Sequence, residues 1–330
     1  MAKKDIHIQR PQFRYEPLIL CAADEKIRYK ASSGGVVSAI IRYLFEEGRI
    51  QNAVSYEFDK YEWFKPKLIN SYEEYHIVGS IYHDVELIKF VKDNATDMKG
   101  RILVTCLPCQ VKAVRKILEE NKVESFIVAL TCSAQMSKEA THFLFNKFGI
   151  EEKDIEFFRY RGNGWPSGVQ IKTRTNKYFF HNIKSIWIDI FHSQLFTLKR
   201  CFSCKDTFGL EADMSVADPW LERYTTTEHI GATLVVAHTD KGNELIQEAL
   251  QSGTLKFKEK ISQFEAVNSQ DWTLKKKYIF RKHRVLLSPI LKIIRSEPYI
   301  SIISSFNLIR IHTRIFYKII WVLLKLDWRK

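Results

Sequence analysis

The spacing of apolar residues predicts that strands and helices alternate through most of the chain. Short apolar runs and alternation with a period of two predict strands, whereas apolar residues three and four positions apart predict helices. Strands are predicted at 17–23, 52–58, 101–105, 125–131 and 232–238, and helices at 36–48, 84–94, 111–121, 138–149 and 241–253. Segments 155–162 and 168–180 are β-rich, and the second has the pattern of a hairpin. Because such alternation is typical of parallel βαβ units, we expect an α/β fold: a parallel or mixed sheet with flanking helices, an added β-rich segment and a C-terminal helical tail.

The charge of the chain is concentrated at its C-terminal end. The 330 residues include 51 Lys and Arg against 38 Asp and Glu, a net charge of +13. Residues 272–330 hold 14 of the basic residues against only Glu297 and Asp327, so this segment carries +12 and the rest of the chain carries +1. A nearly neutral body with a basic tail indicates a terminal element that meets an anionic surface, rather than a basic cleft in the fold.

The last part of the basic tail has the pattern of an amphipathic helix. At 100° per residue, its polar side gathers Asn307, Arg310, Arg314, Lys318, Lys325 and Arg329, and most apolar residues face elsewhere. This pattern is typical of a helix in an anionic membrane interface, with Trp321 and Trp328 as anchors. A helix packed on the body with its charges in water fits the pattern equally well. Nucleic acid is a weaker alternative, because no recognisable nucleic-acid-binding module accompanies the basic residues.

The composition and the amino-terminal sequence restrict the class of protein. Aromatic residues make up 13% of the chain, which excludes a disordered or collagen-like protein, and six cysteines are too few for a disulfide-stapled miniature fold. The first residues contain no apolar run of secretory length, and no apolar stretch approaches the roughly 20 residues of a membrane-spanning helix. We therefore expect a cytoplasmic protein with reduced thiols, which the tail could bring to the inner face of the membrane.

Four cysteines stand where loops can bring them together. Two of them follow predicted strands and two form a CxxC pair: Cys109, Cys132, Cys201 and Cys204. The ends of parallel strands lie side by side, so these loops can meet at one edge of the sheet. Four thiolates suit either a structural Zn²⁺ or an iron–sulfur cluster, and the single CxxC pair favours the cluster over a zinc ribbon with two such pairs. Cys21 lies inside a predicted strand and Cys106 at the end of one, so both are expected in the core.

A glycine-containing segment precedes the first long predicted helix. KASSGGVV contains Ser32, Ser33, Gly34 and Gly35. Small residues allow a ligand to approach the backbone, and the N–H groups at a helix start favour a phosphate. Serine and glycine also form ordinary helix N-caps, so this segment alone does not establish a nucleotide site.

Two later segments combine charged residues with turns. RYRGNGW contains Arg159 and Arg161 beside a glycine turn, where arginine can clamp a phosphate. EADMSVADPW places Asp213 and Asp218 at the two ends of a short strand, where they can close turns or bind ribose hydroxyls. Turn closure is the default interpretation of these two carboxylates.

Taken in order, these segments resemble the beta-subunit family of coenzyme F420 hydrogenases and dehydrogenases. These are iron–sulfur flavoproteins that include chlorophyll-type reductases and homologues in bacterial surface-polysaccharide gene clusters. The resemblance covers about residues 28–238 and rests on KASSGGVVSAI, VTCLPCQVKAVRK, Cys132, FRYRGNGW and CFSCKDTFGLEADMSVADPW. It implies FAD, and one [4Fe–4S] cluster held by Cys109, Cys132, Cys201 and Cys204. It further implies that the turn of Ser32, Ser33, Gly34 and Gly35 contacts the flavin, and Arg159, Arg161 and Asp218 are the other candidates for binding the cofactor.

The sequence departs from the family pattern in three respects. Cys106 stands where the family loop usually has glycine, and Ala217 stands where a glycine precedes the aspartate. The ferredoxin-like cysteine set near the amino terminus of many relatives is absent, because only Cys21 precedes Ser32. Electrons are therefore expected to come from, or pass to, a separate protein, or to reach the flavin directly.

The function expected from this resemblance is that of an iron–sulfur flavoprotein oxidoreductase. It would pass electrons between a [4Fe–4S] cluster, FAD and a small organic substrate or the deazaflavin coenzyme F420. Three parts are expected: a flavin-binding segment at 1–95, an α/β core with the cysteine cluster at 96–262, and a basic amphipathic helical tail at 263–330. The alternative is a membrane-associated protein of polysaccharide or glycoconjugate biosynthesis that redox-modifies a sugar or serves as a non-catalytic partner.

Overall fold

The computed structural model describes residues 10–59 and 61–328, so the expectations for residues 1–9 and for Arg329 lie outside it. The strands are β1 (Leu18–Ala22), β2 (Asn52–Asp59), β3 (Trp63–Ile69), β4 (Arg101–Cys106), β5 (Glu124–Leu130), β6 (Ile155–Arg159), β7 (Gly168–Thr173), β8 (Lys177–His181), β9 (Met214–Ala217), β10 (Thr233–Ala237) and β11 (Leu255–Lys260). The helices are α1 (Glu25–Lys30), α2 (Val36–Glu46), α3 (Leu87–Asn94), α4 (Val111–Glu120), α5 (Glu139–Phe148), α6 (Ile186–His192), α7 (Glu222–Thr227), α8 (Asp240–Gln251), α9 (Gln263–Asn268), α10 (Asp271–Lys282), α11 (Arg284–Ile294), α12 (Glu297–Ser305) and α13 (Ile309–Trp328).

A mixed eight-stranded sheet forms the centre of the molecule. Its strand order is β11-β1-β10-β9-β5-β4-β2-β3. The four neighbours β9, β5, β4 and β2 pair in parallel, and antiparallel strands flank them on both sides. A separate three-stranded antiparallel sheet, β6-β7-β8, is the added β-rich segment. The expected α/β class is confirmed. The sequence allowed a parallel or a mixed sheet, and the sheet is mixed.

The two strands that the apolar pattern does not predict lie at the two edges of the large sheet. In β11, LKFKEK carries alternate charged residues and leaves Phe257 exposed. In β3, WFKPKLI contains Pro66, which lacks the N–H that an interior strand must donate. Edge strands carry charges and proline as protection against further pairing, so they lack the apolar runs that identify buried strands.

The C-terminal helices pack against the body through one apolar face. Ile309, Phe316, Ile320, Leu323 and Leu324 of α13 are buried in a hydrophobic cluster that also includes β6–β8, α5 and α6. The basic residues of α13 face solvent. The apolar face of α13 therefore matches the alternative of a helix packed on the body with its charges in water. None of the helices within residues 10–59 and 61–328 has both the length and the apolar character needed to cross a membrane.

Asp213 joins three elements beside the parallel strands. Its buried carboxylate accepts hydrogen bonds from the Ile127 N–H of β5 at 2.8 Å and from the Thr239 hydroxyl, the N-cap of α8, at 3.1 Å. Lys241 and Arg115 lie 3.3 and 3.7 Å from its carboxylate oxygens. Asp213 therefore fixes the start of β9 against β5 and α8, a long-range role that differs from the local turn closure expected for it.

Replacing Asp213 with alanine should destabilise the fold. The Asp213→Ala substitution leaves the buried Ile127 N–H without its acceptor, which should lower the free energy of unfolding in urea by about 1–3 kcal/mol. Glu211→Ala is the matched control, because the Glu211 carboxylate pairs with the exposed Lys112 and its loss should cost about 0–1 kcal/mol. Equal stability of the two variants would contradict the structural role of Asp213.

Candidate functional site

A cavity of about 250 Å³ lies at the carboxyl ends of the parallel strands. Its wall includes residues from the ends of β4, β5 and β9, from the middle of β2, from the loop before α2 and from residues 75–81. We call it the strand-end cavity. Crevices outside the carboxyl ends of strands are where open α/β sheets bind ligands. This is therefore the strongest candidate in the fold for a small-molecule site.

Five of the residues singled out in the sequence line the strand-end cavity: Ser32, Ser33, Gly35, Arg161 and Asp218. The two residues that depart from the family pattern, Cys106 and Ala217, also line it. Cys106 is buried, as expected from its position at the end of β4, and so is Cys21 in β1. The cavity thus brings together segments that are far apart in the sequence.

The loop before α2 is held by its own hydroxyl groups. Ser32 Oγ accepts a hydrogen bond from the Ser80 N–H at 2.6 Å, and the Ser33 hydroxyl donates to the Ala232 carbonyl. Gly34 lies against β10, where an added Cβ would be 2.8 Å from Thr233 N. Gly35 is the N-cap of α2 with φ of +77°, and no side chain in the described part of the chain caps this helix start. The loop therefore offers the first N–H groups of α2 to the cavity.

Arg161 and Asp218 form a buried ion pair at the cavity wall. Arg161 Nη1 lies 2.6 Å from Asp218 Oδ2, and Nη2 lies 2.9 Å from Oδ1. Arg161 Nη2 also donates to the Ser32 carbonyl at 2.6 Å, and Trp165 Nε1 donates to Asp218 at 2.7 Å. Burial opposes the charge of Arg161, but Asp218 raises the pKa of the guanidinium above its ordinary value. The pair keeps Arg161 charged and ties the loop before α2 to the end of β9.

Arg159 lies behind the strand-end cavity and is not among the residues of its wall. Its guanidinium donates to the carbonyls of Arg161 at 2.9 Å and Lys30 at 2.7 Å. Burial lowers the pKa of Arg159 to about 10, so it stays charged at neutral pH. Its contacts support the loops that carry Ser32 and Arg161.

Thr131, which the sequence did not single out, lines the same cavity. Its hydroxyl is buried and has no hydrogen-bond partner within the described part of the chain. A buried hydroxyl without a partner costs free energy, so this atom is available to a bound molecule. Its position directly after β5 is the signal that could have identified it. Cys132 is singled out for the same reason, because it follows a predicted strand.

The four cysteines line a second cavity, of about 200 Å³. We call it the thiol cavity; its wall also includes Leu107, Pro108, Gln135, Arg200 and Lys277. A 3-10 turn, Pro108–Gln110, carries Cys109, and a second one, Lys199–Phe202, carries Cys201. Cys109 is exposed, whereas the other three cysteines are partly buried. The convergence expected from strand-end loops and the CxxC pair is therefore present in the fold.

The thiols interact with one another and with neighbouring charges. The Cys109 thiol donates a hydrogen bond to the Cys204 sulfur, and this bond, together with Lys277, lowers the pKa of Cys204. The Gln135 N–H donates to Cys201 Sγ at 3.3 Å. Burial raises the pKa of Cys132 to about 11. Cys204 is thus the thiol of this group that is most readily ionised.

The two cavities share part of their walls. Leu107 and Gln135 line both the strand-end cavity and the thiol cavity. The Gln135 side chain is fixed by a hydrogen bond to the His83 carbonyl at 2.7 Å. In residues 10–59 and 61–328, no group of three or more His, Cys, Asp or Glu side chains is arranged to hold a metal ion.

Two family models match most of the chain. Both are described as "Coenzyme F420 hydrogenase/dehydrogenase, beta subunit"; the model of the amino-terminal part matches residues 20–92, and that of the carboxy-terminal part matches residues 99–263. Among curated proteins, the beta chain of the F420-dependent formate dehydrogenase of Methanocaldococcus jannaschii is 21% identical over 257 residues, which cover 73% of this chain and 61% of that protein. The chain therefore spans about three fifths of that relative's length.

The fold is similar to that of a chain in a solved structure of the F420-reducing [NiFe] hydrogenase complex from Methanosarcina barkeri. The TM-score is 0.63 at 19% identity, over 84% of this chain and 93% of that chain. At this level of identity the likeness establishes a common fold.

Alkylation of the reduced, metal-free protein should distinguish Cys204 from Cys132. The pKa of Cys204 is lowered and that of Cys132 is raised, so at about pH 6.5 iodoacetamide should modify Cys204 first, because the thiolate is the reactive form. Peptide mass spectrometry measures the two rates.

The Cys109→Ala variant is the control for this ordering. It removes the hydrogen bond to the Cys204 sulfur and should move the alkylation of Cys204 to higher pH. An unchanged pH profile in this variant would contradict the proximity of the two sulfurs.

Proposed function

Because the chain belongs to the coenzyme F420 hydrogenase/dehydrogenase beta-subunit family, a family of oxidoreductase subunits, we propose that it is an iron–sulfur flavoprotein oxidoreductase. In this proposal Cys109, Cys132, Cys201 and Cys204 hold a [4Fe–4S] cluster, and the strand-end cavity holds FAD. Electrons pass between them and an organic substrate or a deazaflavin. The observation that carries the proposal is the common wall of the two cavities, formed by Leu107 and Gln135.

The arrangement of the sulfurs supports a cluster rather than a zinc ion. Zinc with four thiolate ligands requires Zn–S distances of about 2.3 Å, which brings all four sulfurs around one point. The four cysteines line a cavity of about 200 Å³, which is more room than a single ion occupies. A multi-iron cluster with four cysteine ligands occupies such a space.

The strand-end cavity supports a flavin nucleotide through three features. The first N–H groups of α2, left uncapped at Gly35, suit an anionic phosphate. The unpartnered Thr131 hydroxyl offers a hydrogen bond inside the cavity. The Arg161–Asp218 pair fixes the loop before α2, so its role is to hold the cavity in shape. When bound, FAD would exchange a hydride with the substrate and single electrons with the cluster.

A separate protein is proposed as the electron donor or acceptor. Cys109 is exposed, so the thiol cavity reaches the surface where another protein can approach. The relatives named above are a part of a formate dehydrogenase and a chain of a hydrogenase complex. We propose that this chain likewise works with a redox partner, while its own cavity selects the small-molecule substrate.

Anaerobic loading tests the two cofactors. Protein reconstituted with iron, sulfide and FAD should hold iron and sulfide in equal amounts together with flavin, measured by chemical analysis and visible and electron paramagnetic resonance spectra. Cys204→Ser should lose most of the cluster signal. Cys21→Ala, which removes a buried thiol outside both cavities, should keep it. Colourless protein with stoichiometric zinc would overturn the proposal.

Thr131→Val tests where the flavin binds. Valine preserves the shape of threonine but removes a hydrogen bond worth about 1 kcal/mol, so the Kd for FAD should rise about fivefold in fluorescence titrations. Thr207→Val is the matched control, because the Thr207 hydroxyl is also buried without a partner in the described part of the chain but does not line the cavity. Equal Kd values in both variants would contradict a flavin contact at Thr131.

A second candidate function, attachment to an anionic membrane, is favoured by the outer face of α13. Ile311, Ile315 and Val322 are each more than half exposed on this face, and exposed basic residues accompany them: Arg310, Arg314, Lys318 and Lys325. An apolar stripe bordered by Lys and Arg is the composition of helices that lie in the interface of anionic lipids. A membrane position would suit a lipid-linked sugar as the molecule that the redox site modifies.

Vesicle binding tests the membrane proposal. Replacing Ile311, Ile315 and Val322 with serine should weaken binding to phosphatidylglycerol vesicles roughly 100-fold, since each half-exposed side chain contributes about 1 kcal/mol. Phe257→Ser on β11 is the control, because it removes an equally exposed apolar side chain outside the tail. Deletion of the tail is unsuitable, since its helices contribute to a hydrophobic cluster of the body. Equal binding of the two variants would contradict the proposal.

A further inference from the structure

Two adjacent lysines of α10 are buried beside the thiol cavity. The exposed fractions of Lys276 and Lys277 are 3% and 4%. Lys277 Nζ lies 3.6 Å from Cys204 Sγ and also donates to the Asp206 carbonyl. Lys276 Nζ donates to Ser133 Oγ, next to Cys132 in the chain, at 2.7 Å. Both ammonium groups thus approach the cysteines from the C-terminal part of the chain.

Neither lysine has a carboxylate partner among residues 10–59 and 61–328. The neighbouring lysines of α10 do have such partners: Lys275 pairs with Asp271, and Lys282 pairs with Asp327. Lysine is almost never fully buried unless it is paired, because an unpaired ammonium loses its hydration without compensation. Two unpaired lysines at one place therefore indicate that the negative charge they face belongs to the thiol cavity.

A cluster ligated by four thiolates would supply this charge. Such a centre is anionic, and its negative charge increases when it accepts an electron. Nearby positive charge stabilises the reduced form more than the oxidised form, which raises the reduction potential. The low polarity of a buried site strengthens this effect, since solvent screens the charges less.

We propose that Lys276 and Lys277 raise the reduction potential of the cluster, which makes α10 an electrostatic part of the redox centre. This inference rests on the proposed [4Fe–4S] cluster. It extends the site beyond residue 263, where the match to the family's carboxy-terminal model ends. Both lysines act on the cluster through their charge, and their hydrogen bonds to Ser133 and Asp206 fix where that charge lies.

The test is a redox titration of the reconstituted cluster, followed by electron paramagnetic resonance at pH 7. Lys277→Gln and Lys276→Gln should each shift the midpoint to lower potential. For the double variant, the ratio of reduced to oxidised cluster at a fixed potential should fall at least tenfold, which is 59 mV for a one-electron couple. Lys277→Arg keeps the charge and should restore a potential near that of the unmodified protein.

Lys292→Gln is the matched control for net charge. Lys292 is exposed on α11, so its loss changes the total charge equally but should leave the midpoint unchanged. A cluster whose midpoint is the same in the Gln variants and in the unmodified protein would overturn the inference and leave the proposed function intact. Unmodified protein that assembles no iron–sulfur cluster would overturn both.

The Lys277→Arg variant is also informative if Lys277→Gln assembles no cluster, because arginine keeps the positive charge of lysine but not its shape. Assembly in Lys277→Arg but not in Lys277→Gln would support a requirement for positive charge. Failure of both would overturn the electrostatic role, because shape alone would then explain the loss.

Discussion

The parallel pairing of β9, β5, β4 and β2 is the constraint on which both cavities depend. It places the carboxyl ends of these strands at one edge of the sheet, so residues far apart in the chain meet there. Thr131 and Cys132 show this most directly, since these two consecutive residues line the strand-end cavity and the thiol cavity respectively. Asp213 secures the arrangement by fixing the start of β9 against β5. A shift of one strand would therefore disturb both cavities together.

Much of the fold and the cysteine site could be predicted from the sequence, because both have strong local signals. Buried parallel strands are apolar runs, and the loops after two of them carry Cys109 and Cys132, which line the thiol cavity. The edge strands β3 and β11 could not be predicted in this way, because charged residues and Pro66 interrupt their apolar pattern. Their identity depends on pairing with a neighbour, which no local pattern contains.

The roles of individual polar groups are harder to predict, because they depend on partners distant in the chain. Ser32 and Ser33 suggest hydroxyl contacts with a ligand, and the sequence does not reveal that Ser32 Oγ also accepts from the Ser80 N–H or that the Ser33 hydroxyl donates to the Ala232 carbonyl. Arg159 suggests a phosphate clamp, and its donors are directed at the Arg161 and Lys30 carbonyls and at Asn163 Oδ1. The basic residues of the tail are of a type that usually faces solvent, whereas two of them, Lys276 and Lys277, are buried. Type and spacing of residues do not reveal which donors the fold has already used.

The position of α10 in the chain has a consequence for the order of events during synthesis. All four cysteines lie N-terminal to the helix that supplies Lys277 to the wall of their cavity. A ribosome therefore produces the complete set of thiols before it produces this part of the wall. Until α10 has emerged and packed, the nascent chain leaves the thiols open on that side, where the proposed cluster could be assembled. Once α10 has packed, the exposed thiol of Cys109 marks the side of the cavity that still faces solvent.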